Sequence, residues 1–219
     1  MTLSYDLFWS FRSPYSYLVT KRLVALEREY DVRANVRVVY PLAVRTPEFF
    51  ARNDPLWLPY LMRDVFRSAD YLGLPLKWPS PDPVVMDFAT RSYPKEQPYI
   101  YRLSQLGAHA AEQGKGLAFL DEVSSLIWGG SVTGWNEGDH LNAAVARAGL
   151  DLAEMDAAIA ADNDRFDNAI KTNQEDQRTG GHYGVPMMLF DAEPFFGQDR
   201  FDQMVWRMKA KGLQRRSPS

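Results

Sequence analysis

The sequence predicts an α/β fold in which a long helical block interrupts a small sheet domain. Three observations support this prediction. Residues 1–45 have the pattern of strand, helix and strand; residues 46–178 carry helical spacing; residues 179–219 return to strands before a last helix. We therefore expect 1–45 and 179–219 to form one α/β domain, with 46–178 as an all-helical subdomain inserted between its second and third strands.

The first predicted elements form a β-α-β unit. Residues 3–9 are short, apolar and aromatic, as in a buried strand. Ser13 suits the N-cap of the next helix because its hydroxyl can accept from an early helix amide, and Pro14 suits the first helical position. The helix is predicted to end near Tyr30, and residues 35–42 are predicted to form the second strand. A helical crossover between neighbouring strands makes them parallel.

The middle of the chain predicts helices only. A proline-rich turn at 78–83 and a glycine-rich break at 129–134 separate them. Asp64 and Arg67, three residues apart, are predicted to form an ion pair that fixes the insertion on the core. The predicted helices span residues 56–72, 96–113, 117–127, 140–148 and 152–177.

The last part of the chain predicts a hairpin and a closing helix. Strands are expected at residues 186–191 and 193–196, with a tight connection at 191–193, and a helix at 199–211. Strand, helix, strand, helical insertion, hairpin and helix is a thioredoxin-like order of elements. In that order, Ser13 stands where a thiol-redox protein keeps a cysteine, and Val185-Pro186 precedes the third strand.

Composition narrows the chemistry. The chain has 219 residues, a net charge of −3 and no cysteine, so any thiol chemistry needs a thiol from another molecule. The charge gives no reason to expect nucleic acid or an anionic membrane as partner. No apolar run approaches the roughly 20 residues of a membrane span, and no signal-peptide pattern is seen, so a cytoplasmic location is expected. Three scattered histidines predict no metal site.

Four segments follow one another in order along nearly the whole chain: Ser13-Pro14-Tyr15-Ser16-Tyr17-Leu18, residues 60–75, Gly184-Val185-Pro186 and Gly197-Gln198-Asp199-Arg200. Together they resemble the 2-hydroxychromene-2-carboxylate isomerases of aromatic hydrocarbon catabolism and the related kappa-class glutathione transferases. Both groups belong to the DsbA-like branch of thioredoxin folds. The chain departs from the family pattern at Met187, where threonine is usual, at His182, where a small apolar residue is usual, and at residues 58–59, where a basic residue is common.

The resemblance implies a glutathione site and a homodimer. It implies that Ser13 is the catalytic residue, holding glutathione as thiolate, and that Pro186 is cis. It also implies that the Val185 backbone pairs with the cysteinyl backbone of glutathione. The glutathione-binding positions that it implies are Asn53, Val185, Pro186, Gln198 and Asp199.

The chemistry of Ser13 agrees with this role. Lowering a thiol pKa of about 8.5 by about 2 units takes roughly 2.7 kcal/mol. A hydroxyl hydrogen bond to a charged group supplies about 1.5–3 kcal/mol, and a helix N-terminus adds about 0.3–1 kcal/mol. The alternative is a plain N-cap serine. Likewise, Asp199 also suits ordinary helix capping and Asn53 an ordinary turn before a proline.

Three functions remain open at this stage. The first is a glutathione-dependent isomerase, in which the thiolate adds reversibly to a conjugated substrate. The second is a kappa-like glutathione transferase, and the third a DsbA-like binding protein without catalysis. His182 is either a general acid-base group or a surface residue. Six aromatic residues are either a substrate pocket or core: Phe11, Tyr15, Trp57, Tyr60, Trp128 and Trp135.

Overall fold

The computed structural model describes residues 2–87 and 92–217. Four strands form one sheet, and ten α-helices pack around it within these residues. In chain order the elements are β1 (Leu3–Trp9), α1 (Pro14–Glu29), β2 (Val32–Val38), α2 (Leu42–Arg45), α3 (Glu48–Arg52), α4 (Trp57–Leu72), α5 (Ile100–Glu112), α6 (Gly116–Trp128), α7 (His140–Arg147), α8 (Leu152–Ala161), α9 (Asn163–Thr179), β3 (Met187–Phe190), β4 (Glu193–Phe196) and α10 (Phe201–Ala210).

The sheet is mixed, with the strand order β2-β1-β3-β4. β1 and β2 run parallel, as the helical crossover predicts, and β3 lies antiparallel to both β1 and β4. β1 therefore has a neighbour on each side, and Leu7, Phe8 and Trp9 are fully buried in it. This arrangement confirms the predicted α/β thioredoxin-like class, with helices α2 to α9 between the second and third strands.

The predicted bounds of the second strand are wrong. The strand spans Val32–Val38 rather than residues 35–42. Its parallel register pairs Leu3 with Val32 and Trp9 with Val38, so β1 fixes both ends. Beyond that point Tyr40 turns to the insertion, because its backbone N–H donates to the Gln174 side chain at 3.1 Å.

The predicted long helix over residues 152–177 is two helices. α8 ends at Ala161, and Asp162 leaves the helical region with φ −151° and ψ 66°. The Asp162 carboxylate accepts from the Arg165 N–H at 3.2 Å, so it caps the start of α9. The division at residues 46 and 178 stays a prediction; residues 1, 88–91, 218 and 219 lie outside the described part.

The hairpin forms as predicted, with a two-residue turn between β3 and β4. Asp191 and Ala192 have φ values of 52° and 61°, and a two-residue turn with both φ positive matches the twist of the flanking strands. The closing helix begins with a 3-10 turn, Gln198–Arg200, before α10. The hairpin therefore delivers the 197–199 segment to the same end of the sheet as Pro186, since the Gly197 N–H donates to the Pro186 carbonyl at 2.9 Å.

Two close contacts fix the segment that precedes Ser13. α5 approaches the sheet at Gly107, where a Cβ would lie 2.9 Å from Val38 and 3.0 Å from Phe11. The Trp128 indole N–H donates to the Phe11 carbonyl at 3.0 Å, and both side chains are fully buried. The turn into α1 is thus held by a buried hydrogen bond from the insertion.

We expect Trp128→Phe to lower the free energy of unfolding by about 1–3 kcal/mol, because the buried Phe11 carbonyl loses its donor. Urea denaturation measures this change. Trp206→Phe is the matched control: Trp206 is 62% exposed, so its replacement should change stability by less than about 0.5 kcal/mol. Equal effects of the two substitutions would contradict the role given to this hydrogen bond.

Candidate active site

Ser13 joins the start of α1 to the loop before β3. Its Oγ accepts from the Ser16 N–H at 3.2 Å, which makes Ser13 the N-cap that the sequence predicts. Its hydroxyl donates to the Val185 carbonyl at 3.3 Å. That distance is long for an O–H···O hydrogen bond. The hydrogen bond from Ser13 to Val185 is therefore weak, and the hydroxyl can rotate to donate to a stronger acceptor.

The start of α1 favours a negative charge. The helix has 16 residues, Pro14 stands in its first turn, and no acidic residue lies there. The unpaired N–H groups and the aligned peptide dipoles place partial positive charge at this end. An anion beside Ser13 would therefore not compete with a carboxylate from the helix itself.

A buried layer supports this helix start. The Trp9 indole N–H donates to the Ser16 carbonyl and to the Thr20 hydroxyl, both at 3.1 Å. Ser16 is fully buried, and its own hydroxyl has no hydrogen-bond partner among the described residues. Ser13 and Ser16 thus occupy the two ends of a four-residue turn, the spacing at which Cys-X-X-Cys proteins carry two thiols.

The motif that follows Ser13 also ties α1 to α4. The Tyr15 hydroxyl donates to Asp64 at 2.7 Å, and Arg67 forms the predicted ion pair with the same carboxylate. Burial and the hydrogen bond to Asp64 raise the pKa of Tyr15 above its usual range. Burial alone would raise the pKa of Asp64, but hydrogen bonds from Tyr15 and Arg67 outweigh it and lower that pKa. Asp64 therefore stays ionised and anchors the insertion.

Two further contacts flank this one. Arg12 pairs with Asp82 and lies over the Trp78 ring, 4.9 Å from its centroid. The Tyr17 hydroxyl donates to the Pro75 carbonyl at 2.6 Å. The side chains of Arg12 and Tyr17, on either side of Ser13, thus contact residues between α4 and α5. The Ser13 hydroxyl instead contacts the loop before β3.

The loop before β3 is held by groups from the insertion. The Val185–Pro186 bond is cis, as the resemblance implies. The Gln177 side chain, fully buried, donates to the Gly184 carbonyl at 2.7 Å. Arg45 donates to the Tyr183 carbonyl and, at 3.0 Å, to the Gln177 oxygen. Two successive carbonyls therefore have fixed directions.

Arg45 carries its charge in a partly buried position. Burial, together with the nearby Arg178 charge, lowers the pKa of Arg45 to about 10. The group remains protonated at neutral pH. Its hydrogen bonds go to neutral oxygens, so it fixes the loop without bringing a carboxylate towards Ser13.

His182 supplies the third contact to the loop. Its Nδ1 accepts from the Gly184 N–H at 2.9 Å, which places the proton of the neutral ring on Nε2. The ring stacks on Phe196, with centroids 3.8 Å apart, and on Tyr183 at 4.8 Å. A Cβ at Gly184 would lie 2.5 Å from the Phe196 ring, so any residue larger than glycine would displace that ring from its stack on His182. Burial lowers the pKa of His182.

Two donors near this loop lack partners. Within residues 2–87 and 92–217, no hydrogen bond engages the Val185 N–H, and none engages the Asn53 Nδ2, which is buried. Asn53 is the C-cap of α3, and the ring of Phe49 in that helix lies 6.0 Å from that of Tyr183. α3 therefore lies next to the loop, and Asn53 makes no hydrogen bond to Ser13 or Val185.

The remaining predicted binding residues lie in the turn after β4. Gln198 is half-buried, and both its backbone oxygen and its side-chain oxygen accept from Arg22 of α1. Asp199 is exposed and pairs with Arg200 at 2.8 Å. The structure therefore brings Ser13, Val185 and Pro186 together directly, and Gln198 through the Pro186–Gly197 bond, whereas the Asp199 carboxylate is turned to solvent.

The six aromatic residues weighed as pocket or core include three that are core. Phe11, Trp128 and Trp135 are each at most 3% exposed. A different row of rings reaches the loop. It consists of Trp57, Phe49, Tyr183, His182 and Phe196, each within about 6 Å of the next; of these only Trp57 was among the six.

Sequence reasoning also missed Arg22, Arg45 and Gln177. Their partners lie 176, 138 and 7 residues away in the chain, and each residue looks like an ordinary polar position of a helix. The signal that the sequence offered was that each of these residues lies in a helix with one terminus near the predicted site.

Neither a membrane-spanning helix nor a metal-binding cluster is found in the residues that the structure describes. No helix in residues 2–87 and 92–217 is long and apolar enough to cross a membrane. In the same residues, no group of three or more histidine, aspartate or glutamate side chains is arranged to hold a metal ion.

We expect His182 to make stability pH-dependent. Because its pKa in the folded protein lies below the ordinary value of 6.5, the unfolded chain binds more protons near that pH, and stability falls as the pH drops through about 6.5. His182→Asn keeps an oxygen acceptor for the Gly184 N–H but does not titrate. Its urea midpoint should therefore fall less than that of the wild type between about pH 7.5 and about pH 5.5. Parallel profiles would rule out this contribution.

The sequence and fold can be compared with known proteins. Residues 5–209 match the model of the DsbA-like thioredoxin domain. The chain is 23% identical over 203 residues to 2-hydroxychromene-2-carboxylate isomerase of Pseudomonas putida, covering 89% of both proteins. A solved structure of a 2-hydroxychromene-2-carboxylate isomerase aligns with a TM-score of 0.70 at 19% identity, covering 95% of this chain and 96% of that one.

A second solved structure is the cytosolic disulfide reductase DsbM of Pseudomonas aeruginosa with GSH. It aligns with a TM-score of 0.55 at 14% identity, covering 94% of this chain and all of that one. At these identities, both solved structures support the fold alone. The family match covers both strands of the β-α-β unit, the helical insertion and the hairpin, with Ser13 and the cis Pro186 in it. The chain therefore belongs to the DsbA-like thioredoxin domain family.

Proposed function

We propose that this protein is a glutathione-dependent isomerase of the 2-hydroxychromene-2-carboxylate type. One observation carries the proposal: the Ser13 hydroxyl stands at the start of α1, opposite the cis Pro186, and donates only a long hydrogen bond to Val185. The Pseudomonas putida relative bears the isomerase name, and the DsbM structure contains GSH. The first name supports the isomerase among the open functions, and the second structure supports glutathione as the ligand.

The residues present suit glutathione. A short peptide bound in extended form needs a backbone donor, and the Val185 N–H, which has no partner among the described residues, can supply it. The buried Asn53 Nδ2, also without a partner in that part of the chain, is a second donor. The Gln198 side chain adds amide protons that suit a carboxylate. Glutathione presents a peptide backbone and two carboxylates, so each donor has a matching acceptor.

Ser13 is the group that would hold the sulfur as an anion. Turning the hydroxyl from the Val185 carbonyl to a thiolate exchanges a weak neutral hydrogen bond for a charge-assisted one. The positive end of α1 acts in the same direction. The Val185 carbonyl is released at the same time and can accept from the peptide that pairs with the Val185 N–H.

Bound glutathione would supply a nucleophile: its sulfur forms a bond to a conjugated carbon of the substrate, and the same bond breaks after rotation about the former double bond, so that glutathione leaves unchanged. The chain's residues then have two tasks. Ser13 holds the thiolate before the bond forms and after it breaks. The row of rings from Trp57 to Phe196 offers an apolar surface for a conjugated or aromatic substrate.

We expect Ser13→Ala to raise the pKa of the bound glutathione thiol by about 1–2 units, since the lost hydrogen bond is worth about 1.5–3 kcal/mol. Thiolate absorbance in the ultraviolet, followed against pH with bound glutathione, measures it. Ser131→Ala, at an exposed position, is the control and should leave that pKa unchanged. An unshifted thiol pKa in the wild-type protein would refute the proposal.

The reaction outcome separates the isomerase from a kappa-like transferase. With a conjugated aromatic pyruvate as substrate, we expect the free thiol concentration to be the same before and after complete conversion. Thiol titration and mass spectrometry of the product measure this. Loss of one glutathione for each substrate converted, with a sulfur adduct as product, would instead establish the transferase.

Two other readings have distinct consequences. Disulfide exchange by the chain's own residues has no chemical basis, because the sequence contains no cysteine. A DsbA-like binding protein without catalysis would bind glutathione and convert no electrophile. The homodimer and the cytoplasmic location stay predictions; exposed apolar residues of α4, such as Tyr60 and Tyr71, are available to a partner subunit.

A further inference from the structure

Arg22 makes an unusual contact for a residue on the third turn of α1. Its Nη2 donates to the backbone oxygen of Gln198 and, at 2.6 Å, to the Gln198 side-chain oxygen. Its guanidinium lies over the Phe201 ring, 4.8 Å from the centroid. Among the described residues, the carboxylates of Asp199 and Asp202 act on it only at longer range than an ion pair. The Arg22 guanidinium is therefore held at Gln198 by hydrogen bonds and by its position over the Phe201 ring, and not by an ion pair.

This contact decides which groups Gln198 can offer. A guanidinium has only donors, so the side-chain atom that it contacts must be the amide oxygen. Arg22 thereby uses both oxygens of Gln198. The two protons on Nε2 have no partner among the described residues, so the Gln198 side chain is left as a donor only, which suits a carboxylate.

The placement fits the order of groups in the ligand. Ser13 and Arg22 are nine residues apart, or about 13.5 Å along the helix axis. A helical side chain leans towards the N-terminus, so Arg22 meets Gln198 on the Ser13 side of its own Cα. The Gly197 N–H also ties this turn to the Pro186 carbonyl. Because the sulfur of glutathione is on its central residue, the arm that extends from Ser13 towards Gln198 is the γ-glutamyl group, which its γ-linkage makes longer than an ordinary residue.

We propose that Arg22 is a positioning residue: it orients Gln198 to hold the γ-glutamyl carboxylate of glutathione. This inference rests on the proposed glutathione site, and it adds the residue that sets the specificity of that site for the γ-glutamyl group. Arg22 acts through Gln198 and does not touch the sulfur. Its loss should thus affect binding of the γ-glutamyl part and leave the thiol chemistry at Ser13 unaltered.

Cysteinylglycine, which lacks the γ-glutamyl group, shows whether Arg22 acts on binding of that group alone or on the whole site. We expect Arg22→Met to weaken glutathione binding about tenfold and to leave cysteinylglycine binding unchanged in calorimetric titration. The pKa of the bound glutathione thiol should also stay at its wild-type value. The matched control is Arg165→Met, which removes another guanidinium over a phenylalanine ring, 4.2 Å from Phe166 in α9, and should change neither affinity.

A second variant tests the same contact from the other side, in case Arg22→Met does not fold. Gln198→Glu keeps the oxygens that Arg22 contacts but removes the amide protons, so it should weaken glutathione binding at least as much. In a Gln198→Ala background, Arg22→Met should cause no further loss, because its effect passes through Gln198. Equal weakening of glutathione and cysteinylglycine, or no weakening of either, would overturn the inference. A wild-type protein that binds no glutathione would overturn the proposed function, and this inference with it.

Discussion

The hydrogen bond from the Ser13 hydroxyl to the Val185 carbonyl joins two segments that are 172 residues apart. The candidate site depends on this approach, because the start of α1 supplies the positive field and the loop supplies the backbone groups for a peptide. Both sides are fixed independently. Trp9 and Trp128 hold the helix start through buried indole hydrogen bonds, so the serine hydroxyl can rotate to donate its hydrogen bond to another acceptor without the helix moving.

The inserted helices do more than cover the sheet. Gln177 of α9 fixes the Gly184 carbonyl, and Arg45, which ends α2 directly before the insertion, fixes the Tyr183 carbonyl. A buried amide such as that of Gln177 costs about 1–3 kcal/mol when it loses its partners, so the loop and the insertion stabilise each other. Asn53 comes from the same insertion. A sheet domain without the insertion would keep Ser13 but lose the supports of Val185.

Predictions from local patterns succeeded where local physics decides. The N-cap at Ser13, the proline after it and the tight hairpin near Asp191 all follow from backbone preferences of a few residues. Errors arose where neighbours in space decide. The register with β1 set the bounds of β2, and a single capping aspartate, Asp162, divided an otherwise continuous helical pattern. The aromatic residues divided into core and loop-facing rings by packing, which periodicity does not reveal.

The sequence by itself determined that this chain has no thiol of its own and that a serine caps the helix where a thiol-redox protein carries a cysteine. Those facts are properties of single residues and their immediate neighbours. Only the tertiary structure decided that Arg22 orients Gln198 and that His182 holds Gly184 between two rings. Such contacts depend on the three-dimensional approach of side chains from separate elements, and sequence spacing carries no signal for that approach.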